Sequence, residues 1–519
     1  MSKRCVILII LDGYGIGKSD DSNPIFAVGS NGPQNINHIK ASYPSASLQA
    51  SGIAVGLPWK EEGNSEVGHL NIGAGKIIYQ NYPRVSLAIQ DKSFFKNKTI
   101  LAAFNHSKKN SSAVNLIGLL TEGNVHASLE HLAALIEFAK NEKVPTINLH
   151  LITDGRDSSP QSALKLLKRL SFSEQIKLAS IAGRYYAMDN NRQWGQTQQY
   201  YQTIIGEGPV IENIENYING IYQKGLNDEY VLPVIVFSRE NAIKDNDSVI
   251  FFNFREDRMR QIVESFANPA FEKFPVKKFS NLYLSSLISY DDRFKIPVAF
   301  AKETVENSLS KVLSDNGKIQ FKIAETEKYA HITYFFNGQK EQPFKNEYRI
   351  LIPSKIDFRH EEHPEMMAAE ITGRLIEAIE EGGYDFILAN YANADIIAHT
   401  GNFEAAVQAV KILDEQIGKL VKAALNRNAY LIITADHGNI ERMANPLTGE
   451  VETQHDLSPV PIYLIAKEFE KSKNEEEIKM SEKTSIGVLA DIAPTILELM
   501  NIPQPKEMTG QSLIKLFGN

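Results

Sequence analysis

The chain has 519 residues, of which 43% are hydrophobic and 23% are charged, and its formal net charge is −8. This length predicts two or more domains, and the composition is typical of a soluble globular protein. The acidic balance argues against a general role on nucleic acid or on a membrane surface, and the single cysteine, Cys5, excludes an internal disulfide and favours a reducing, cytoplasmic compartment.

The first predicted element is the apolar run CVILIIL, which ends in Asp12 and a glycine. A continuous apolar run of this length predicts a strand of a parallel sheet that is buried on both faces, and it is too short to span a bilayer. In open α/β sheets, ligands gather at the carboxyl ends of strands. Asp12 is therefore a candidate site residue, although an aspartate before glycine could simply open a turn.

Ser65 follows in the motif GNSEVGHL, which we expect to form a small flexible loop. The motif matches neither the nucleophile elbow of serine hydrolases nor a phosphate-binding P-loop. A serine hydroxyl is a weak nucleophile at neutral pH, and coordination to a divalent cation would activate it by lowering its pKa. Ser65 is thus either a candidate nucleophile or a turn-forming serine.

Three further strands are predicted in the middle of the chain, each followed by a glycine-containing loop, in AVNLIGLLTEGNVHA, INLHLITDGRDSSP and IKLASIAGRYYAMD. The stretches SLEHLAALIEFAKNEK and PQSALKLLKRL predict helices between them. We therefore predict an α/β protein in which a second α/β domain, residues 79–303, is inserted into a first domain formed by residues 1–78 and 304–519.

Basic and titratable side chains cluster in the loops of this middle region. Paired arginines at strand ends suit bidentate binding of carboxylate and phosphate, so the cluster predicts a small anionic ligand. The candidates are His126, Arg156, Asp157, Arg184, Arg255 and Arg258, with Lys328 in the first domain. His126 could act as an acid, a base or a hydrogen-bond donor, and Asp157 could orient or deprotonate a substrate hydroxyl. Surface salt bridges and a structural loop histidine are the alternative interpretations.

Two more buried strands are predicted near the C-terminal end, in YDFILANYANAD and AYLIITADHG, each preceded by an amphipathic helical pattern. Asp395 and His399 follow the first strand with i, i+4 spacing, which would place both on one face of a helix. Asp436 and His437 follow the second strand, and His455 lies in the later loop TQHDLSPVP.

Together with Asp12 and Ser65, these acids and histidines are enough to bind two metal ions. Aspartate and histidine donors suit a borderline cation such as Mn²⁺ or Zn²⁺ better than Ca²⁺. Alone, each residue could be a cap, a turn or a core histidine, but all of them follow strand-like runs or lie in glycine- or proline-rich loops. A Ser-His-Asp triad is the alternative, and the metal-ligand pattern accounts for more residues.

At this point the chain closely resembles the 2,3-bisphosphoglycerate-independent (cofactor-independent) phosphoglycerate mutases of the alkaline phosphatase superfamily. The motifs that carry the resemblance are LDGYG, GNSEVGHLNIGAG, DGRD, GRYYAMD, FFNFREDR, AETEKYAHIT, TADHGN and DIAPTILELMNIPQPKEMTGQSL. They are long and distinctive, and they occur along essentially the whole chain.

The resemblance implies an alkaline-phosphatase-like domain with two Mn²⁺ ions and an inserted phosphotransferase domain. It implies interconversion of 3-phosphoglycerate and 2-phosphoglycerate, with Ser65 as the phosphorylated nucleophile. One ion would be bound by Asp395, His399 and His455, and the other by Asp12, Ser65, Asp436 and His437. The substrate would be contacted by His126, Arg156, Asp157, Arg184, Arg255, Arg258 and Lys328. A monomer is expected, with no nucleic-acid or membrane partner.

One position departs from the family, which usually has an arginine directly after YYAMD, where this chain has Asn190. Arg192, two residues on, is a candidate replacement. Two rival functions stay open: a plain phosphatase or sulfatase of the same superfamily, and a non-catalytic protein that binds metal or a metabolite.

Overall fold

The computed structural model describes residues 4–28, 32–355, 359–445 and 448–517. It divides into two units, the first made of Met1–Gln80 and Glu303–Asn519 and the second of Asn81–Lys302. Each unit contains one eight-stranded sheet and a hydrophobic core of its own.

The strands follow in chain order. They are β1 (Val6–Leu11), β2 (Ser45–Gln49), β3 (Ala113–Leu120), β4 (Thr146–Thr153), β5 (Ile176–Gly183), β6 (Val210–Ile211), β7 (Val234–Val236), β8 (Ser248–Phe251), β9 (Tyr283–Ile288), β10 (Val298–Phe300), β11 (Gln320–Glu325), β12 (Glu347–Ile352), β13 (Phe386–Tyr391), β14 (Tyr430–Thr434), β15 (Val460–Ile465) and β16 (Ser485–Val488).

The α-helices are interspersed among them. They are α1 (Gln34–Ser42), α2 (Ser65–Ala74), α3 (Asn81–Gln90), α4 (Lys98–Asn110), α5 (Leu129–Asn141), α6 (Ala163–Leu167), α7 (Arg184–Ala187), α8 (Trp194–Ile204), α9 (Ile214–Gln223), α10 (Arg260–Ala267), α11 (Leu309–Asp315), α12 (Thr326–Ala330), α13 (Ala368–Glu381), α14 (Asn393–His399), α15 (Phe403–Asn426), α16 (Glu475–Lys483), α17 (Ile492–Leu499) and α18 (Ile514–Phe517).

The sheet of the first unit has the order β12-β11-β13-β1-β14-β15-β2-β16. Strand β1 lies at its centre, pairing in parallel with β13 and β14, so that Val6 is opposite both Phe386 and Tyr430. All six residues of β1 are buried, as the continuous apolar run predicts for a central strand covered on both faces. The sheet is mixed, because β15 runs antiparallel to both of its neighbours.

The sheet of the second unit has the order β10-β9-β8-β3-β4-β5-β7-β6. Strands β8, β3, β4 and β5 are parallel, so their carboxyl ends lie at one edge. The predicted α/β class is confirmed for both units. Helix α6 is shorter than its sequence pattern suggests, covering only Ala163–Leu167.

None of the helices in the described ranges combines the length and the apolar character that a bilayer-spanning segment needs.

Candidate active site

Four neighbouring parallel strands of the first unit, β11, β13, β1 and β14, end at the same edge of the sheet. Asp12 comes directly after β1, Asp395 lies in α14 after β13, and Asp436 follows β14. Lys328 lies in the short helix α12 after β11. The common direction of these strands therefore places residues that are up to 424 positions apart in sequence at one edge of the sheet. All four side chains are buried.

Ser65 is the first residue of α2, so the expectation of a flexible loop at GNSEVGHL is wrong. The side chain of Asn64 accepts a hydrogen bond from the backbone N–H of Val67, which caps the helix. Asparagine is among the preferred N-cap residues because its side chain satisfies an N–H that has no intrahelical acceptor. The capped first turn fixes the backbone that carries the Ser65 hydroxyl.

The Ser65 hydroxyl is buried within hydrogen-bonding distance of three charged or titratable groups. Its Oγ donates to Asp12 Oδ1 over 3.0 Å and accepts from Lys328 Nζ over 2.8 Å. His437 Nε2 lies 3.1 Å from the same oxygen. An oxygen between an ammonium, an imidazole and a carboxylate is well placed both to lose its proton and to have the resulting charge stabilised.

Lys328 connects the two acidic parts of this cluster. Its Nζ lies 2.6 Å from Asp12 Oδ1 and 2.6 Å from Asp395 Oδ2. Burial opposes the charge on Lys328, but the two carboxylates outweigh it and raise the pKa of Lys328 above its ordinary value. In turn, burial disfavours the ionised aspartates, yet Lys328 keeps the pKa of Asp12 and of Asp395 well below the ordinary range.

Asp395, His399 and His455 form one set of converging donor atoms. Asp395 Oδ1 lies 3.2 Å from His399 Nε2 and 3.4 Å from His455 Nε2, and the two Nε2 atoms are 3.1 Å apart. His399 Nδ1 faces the carbonyl of Thr453 at 2.8 Å, and His455 Nδ1 faces the carbonyl of Gly63 at 2.7 Å. Since a carbonyl can only accept, each Nδ1 carries a hydrogen, and each Nε2 is the atom that could bind a cation beside the carboxylate of Asp395.

Asp12, Asp436 and His437 form the neighbouring part of the cluster. His437 Nε2 lies 3.5 Å from Asp12 Oδ1 and 3.6 Å from Asp436 Oδ2. Burial lowers the pKa of His437, but the carboxylates, Asp436 first, outweigh it and raise that pKa to about 10. Gly68 of α2 permits this approach, because a Cβ at that position would lie 2.8 Å from the Cβ of Asp436.

Sequence reasoning misses His69, which also converges on this cluster. Its Nδ1 lies 3.2 Å from Asp436 Oδ2 and 2.8 Å from the carbonyl oxygen of Ser65. Its Nε2 faces the side-chain amide of Asn390, which donates to Asp12 Oδ2 over 2.7 Å. The available signal was the i, i+4 spacing from Ser65 to His69, which is informative only once the segment is known to be helical.

The donor set fits divalent cations. Among the described residues Asp436 Oδ2 is buried without a hydrogen-bond partner, and the Nε2 atoms of His399 and His455 lie within 3.4 Å of one oxygen of Asp395. The three buried aspartates outnumber the Lys328 ammonium, and they raise the pKa of His437, so this excess of negative charge favours a further positive charge, which a bound cation would supply. Carboxylate and imidazole together suit Mn²⁺, Zn²⁺ or Co²⁺.

A second polar cluster lies at the carboxyl edge of the sheet in the second unit. Arg184 is buried, and its Nη1 donates to Asp154 Oδ1 over 2.6 Å and to Asp157 Oδ2 over 2.7 Å. Asp154 also accepts from Thr121 Oγ1 and from the backbone N–H of Asp157. Burial alone would raise the pKa of Asp154, but these hydrogen bonds and Arg184 lower it, so the carboxylate stays ionised and orients Arg184.

His126 lies beside this pair, buried, with Nε2 4.0 Å from Asp157 Oδ2. The structure adds Asp257, which sequence reasoning misses, with Oδ1 3.4 Å from His126 Nδ1. Burial lowers the pKa of His126 to about 4, with Arg184 acting in the same direction. The imidazole is therefore neutral near pH 7.

The remaining predicted arginines of this unit are more accessible. Arg156 and Arg255 have about half of their side chains exposed and face Glu229 and Asp257 respectively. Arg258 Nη1 lies 3.4 Å from the carbonyl of Met188. Their guanidinium groups are thus available to an anion.

The departure at Asn190 falls in an exposed loop. The side chain of Asp189 accepts from the backbone N–H groups of Asn191 and Gln193, and Arg192 between them has a φ of 63° and is exposed. Whether Arg192 replaces the missing arginine stays a prediction.

Comparison with known proteins identifies relatives over the whole length. A family model described as the metalloenzyme superfamily matches residues 4–504. A protein of Methanosarcina barkeri named 2,3-bisphosphoglycerate-independent phosphoglycerate mutase 1 is 43% identical, covering 99% of this chain and 98% of its own length. A Clostridioides difficile protein named 2,3-bisphosphoglycerate-independent phosphoglycerate mutase is 41% identical, covering 99% and 100%. Among solved structures, a Leishmania mexicana phosphoglycerate mutase, determined at low cobalt concentration, matches with a TM-score of 0.52 and 27% identity over 98% of both chains.

Proposed function

The chain belongs to the 2,3-bisphosphoglycerate-independent phosphoglycerate mutase family of the metalloenzyme superfamily, and on that premise we propose that it interconverts 3-phosphoglycerate and 2-phosphoglycerate through a phosphorylated Ser65. The observation that carries the proposal is the position of the Ser65 hydroxyl, which is buried and in contact with Lys328, Asp12 and His437. Ser65 thus contacts side chains whose donor atoms converge and could bind a metal ion.

The first unit is proposed as the metal-binding, phosphatase-like domain and the second as the phosphotransferase domain. We propose two Mn²⁺ ions, one bound by Asp395, His399 and His455 and the other by Asp12, Ser65, Asp436 and His437. When bound, the cations would lower the pKa of the serine hydroxyl and balance the charge of the phosphoryl group. His69, through its contact with Asp436, would support the second set.

The first half-reaction transfers the phosphoryl group to the protein. The Ser65 Oγ–P bond forms as the bond between phosphorus and the 3-oxygen of glycerate breaks, and the Ser65 hydroxyl loses its proton. The Lys328 ammonium, 2.8 Å from Ser65 Oγ, offsets negative charge on the reacting oxygens. The departing 3-oxygen takes up one proton.

The second half-reaction returns the group to the 2-oxygen. Arg156, Arg184, Arg255 and Arg258 are proposed to hold the carboxylate while the glycerate reorients. Asp157, which is fixed by Arg184, then takes the proton of the 2-hydroxyl as that oxygen attacks the phosphoserine. This step yields 2-phosphoglycerate, and the released Ser65 oxygen takes up the proton that Asp157 removed, so the protein returns to its starting protonation state.

The test is an assay of the purified protein with 3-phosphoglycerate and Mn²⁺ in the absence of 2,3-bisphosphoglycerate. We expect 2-phosphoglycerate to form, and phosphate bound to Ser65 to be detectable by mass spectrometry after rapid denaturation. Ser65→Ala should abolish both signals. Ser47→Ala, which alters a buried serine of β2 that contacts Ser485 instead, should leave them intact.

Two outcomes would overturn the proposal. Formation of no 2-phosphoglycerate would exclude the mutase activity, and phosphate release that greatly exceeds isomerisation would make the protein a phosphatase. Elemental analysis tests the metal content separately, with two manganese ions per chain expected after loading. A monomeric state and a cytoplasmic location stay predictions.

A further inference from the structure

His126 is buried between two carboxylates that come from different loops of the second unit. Asp157 follows β4 and faces Nε2 at 4.0 Å, and Asp257 follows β8 and faces Nδ1 at 3.4 Å. Arg184 and Arg255 are the other charged groups that act on the ring. The imidazole therefore has an acidic neighbour at each nitrogen.

The contact between His126 and Asp257 has a specific chemical requirement. His126 Nδ1 and Asp257 Oδ1 are both buried, and neither has a hydrogen-bond partner among the described residues. They face each other a few tenths of an ångström beyond hydrogen-bonding distance, and catalytic hydrogen bonds are often long before substrate binds. A carboxylate can only accept, so this contact is favourable only if Nδ1 carries the hydrogen.

Because the His126 imidazole is neutral near pH 7, it carries a single N–H hydrogen, on either Nδ1 or Nε2. Burial lowers the pKa of His126 to about 4, with Arg184 and Arg255 acting in the same direction and Asp257 and Asp157 opposing them. If the hydrogen were on Nε2, a buried lone pair on Nδ1 would face a carboxylate oxygen and stay unsatisfied, whereas Asp257 Oδ1 would keep its ion pair with Arg255 Nε at 3.4 Å.

We propose that Asp257 is a positioning residue that holds His126 as the Nδ1–H tautomer, which leaves Nε2 as a hydrogen-bond acceptor for a hydroxyl group of the glycerate. The inference rests on the proposed function for the identity of the hydroxyl. Asp157 Oδ2 already accepts from Arg184, and Nε2 and Asp157 present two acceptors 4.0 Å apart, one for each hydroxyl of the glycerate. Nε2 would accept from one hydroxyl and so fix the orientation of the glycerate, and Asp157 would remove the proton of the 2-hydroxyl.

The first test reads the tautomer directly and requires no activity. In protein labelled with ¹⁵N-histidine, long-range ¹H–¹⁵N correlations show which ring nitrogen carries hydrogen, and His126→Ala assigns the signal. We expect Nδ1–H in the wild type and a shift toward Nε2–H in Asp257→Ala. A wild-type ring with hydrogen on Nε2, or a tautomer that is unchanged in Asp257→Ala, would overturn the proposal.

The second test is kinetic. Asp257→Ala should lower kcat for 2-phosphoglycerate formation by about 100-fold, in the range of a lost acid–base partner, with KM changed much less. Asp257→Glu should recover part of the rate, and Glu256→Ala, at the adjacent position, should match the wild type. In a His126→Ala background, Asp257→Ala should cause no further loss, because both residues act as one unit.

Additive losses in the double variant would show that Asp257 acts independently of His126 and would refute the inference. Thermal unfolding of each variant identifies a loss that is only structural. If the wild type forms no 2-phosphoglycerate, the proposed function fails, while the tautomer measurement still decides the role of Asp257.

Discussion

Replacement of Lys328 by methionine separates the role of its charge in transfer from its role in folding. The Lys328 side chain is 5% exposed, and its Nζ contacts Asp12 and Asp395, each at 2.6 Å, and Ser65 at 2.8 Å. Methionine retains most of the side-chain volume but leaves two buried carboxylates without their cation. Breaking a buried ion pair in this way costs about 3–5 kcal/mol.

We expect the lower end of that range of free-energy cost, because both carboxylates keep other hydrogen-bond donors in the variant. Asn390 still donates to Asp12 over 2.7 Å and Asn439 to Asp395 over 2.8 Å. A loss of about 3 kcal/mol corresponds to a fall of about 5 °C in the thermal midpoint for a unit of this size, measured in the presence of a chelator. Saturating Mn²⁺ should reduce the loss, since a bound cation balances the same carboxylates.

Activity should fall by about 100- to 1,000-fold in kcat, as for other groups that stabilise charge on reacting oxygens. Lys322→Met is the matched control, since Lys322 is a fully buried lysine of the same unit, in contact with Glu347, Asn337 and Ser310. It should also lower the thermal midpoint but keep kcat close to the wild-type value. Equal kcat in the two variants would refute a role for Lys328 in transfer, and an unchanged midpoint of Lys328→Met in chelator would refute the argument from buried charge.

Three further predictions concern helix capping, metal binding and pH. Asn64→Ala removes the cap of α2 and should lower stability by about 1 kcal/mol and also reduce kcat, as measured by thermal unfolding and the mutase assay; a wild-type midpoint would contradict this. His455→Ala should weaken Mn²⁺ binding by more than about 10-fold in a metal titration, and unchanged affinity would exclude this residue as a ligand. Burial lowers the pKa of His150 to about 3, whereas in the unfolded chain it is about 6.5, so between these values only the unfolded chain binds the proton. The free energy of unfolding should therefore fall with decreasing pH over that range, by up to about 1.4 kcal/mol per pH unit for this group, and His150→Asn should reduce the slope; identical slopes would contradict the assignment.

The edge of the sheet that carries the candidate metal-ligand residues could be predicted because the apolar runs in the sequence indicate where parallel strands end. The apolar runs before Asp12, Asp395 and Asp436 indicate buried parallel strands, and parallel strands end at a common edge. Their order in the sheet, with β1 between β13 and β14, places the three aspartates side by side. The sequence pattern predicts the edge but not which atoms converge there.

The residues that sequence reasoning misses are those whose neighbours are distant in sequence and whose own positions look ordinary. His69 is informative only once GNSEVGHL is known to start a helix, and the cap by Asn64 that starts it depends on a single hydrogen bond. Asp257 lies between two arginines in FREDR, where an ion pair is the obvious interpretation. Its approach to His126 spans 131 positions and depends on the order of β8 and β3 in the sheet.

The helix that begins at Ser65 has a consequence for the lifetime of the proposed phosphoserine intermediate. A phosphoryl group on this residue would rest at the positive end of the α2 dipole, near backbone N–H groups that have no acceptor within the helix. Such an end stabilises an anion by about 0.3–2 kcal/mol, and about 1.4 kcal/mol corresponds to a tenfold change in rate. The helix start that holds the hydroxyl in place would thus also lengthen the time for which the proposed phosphoserine persists.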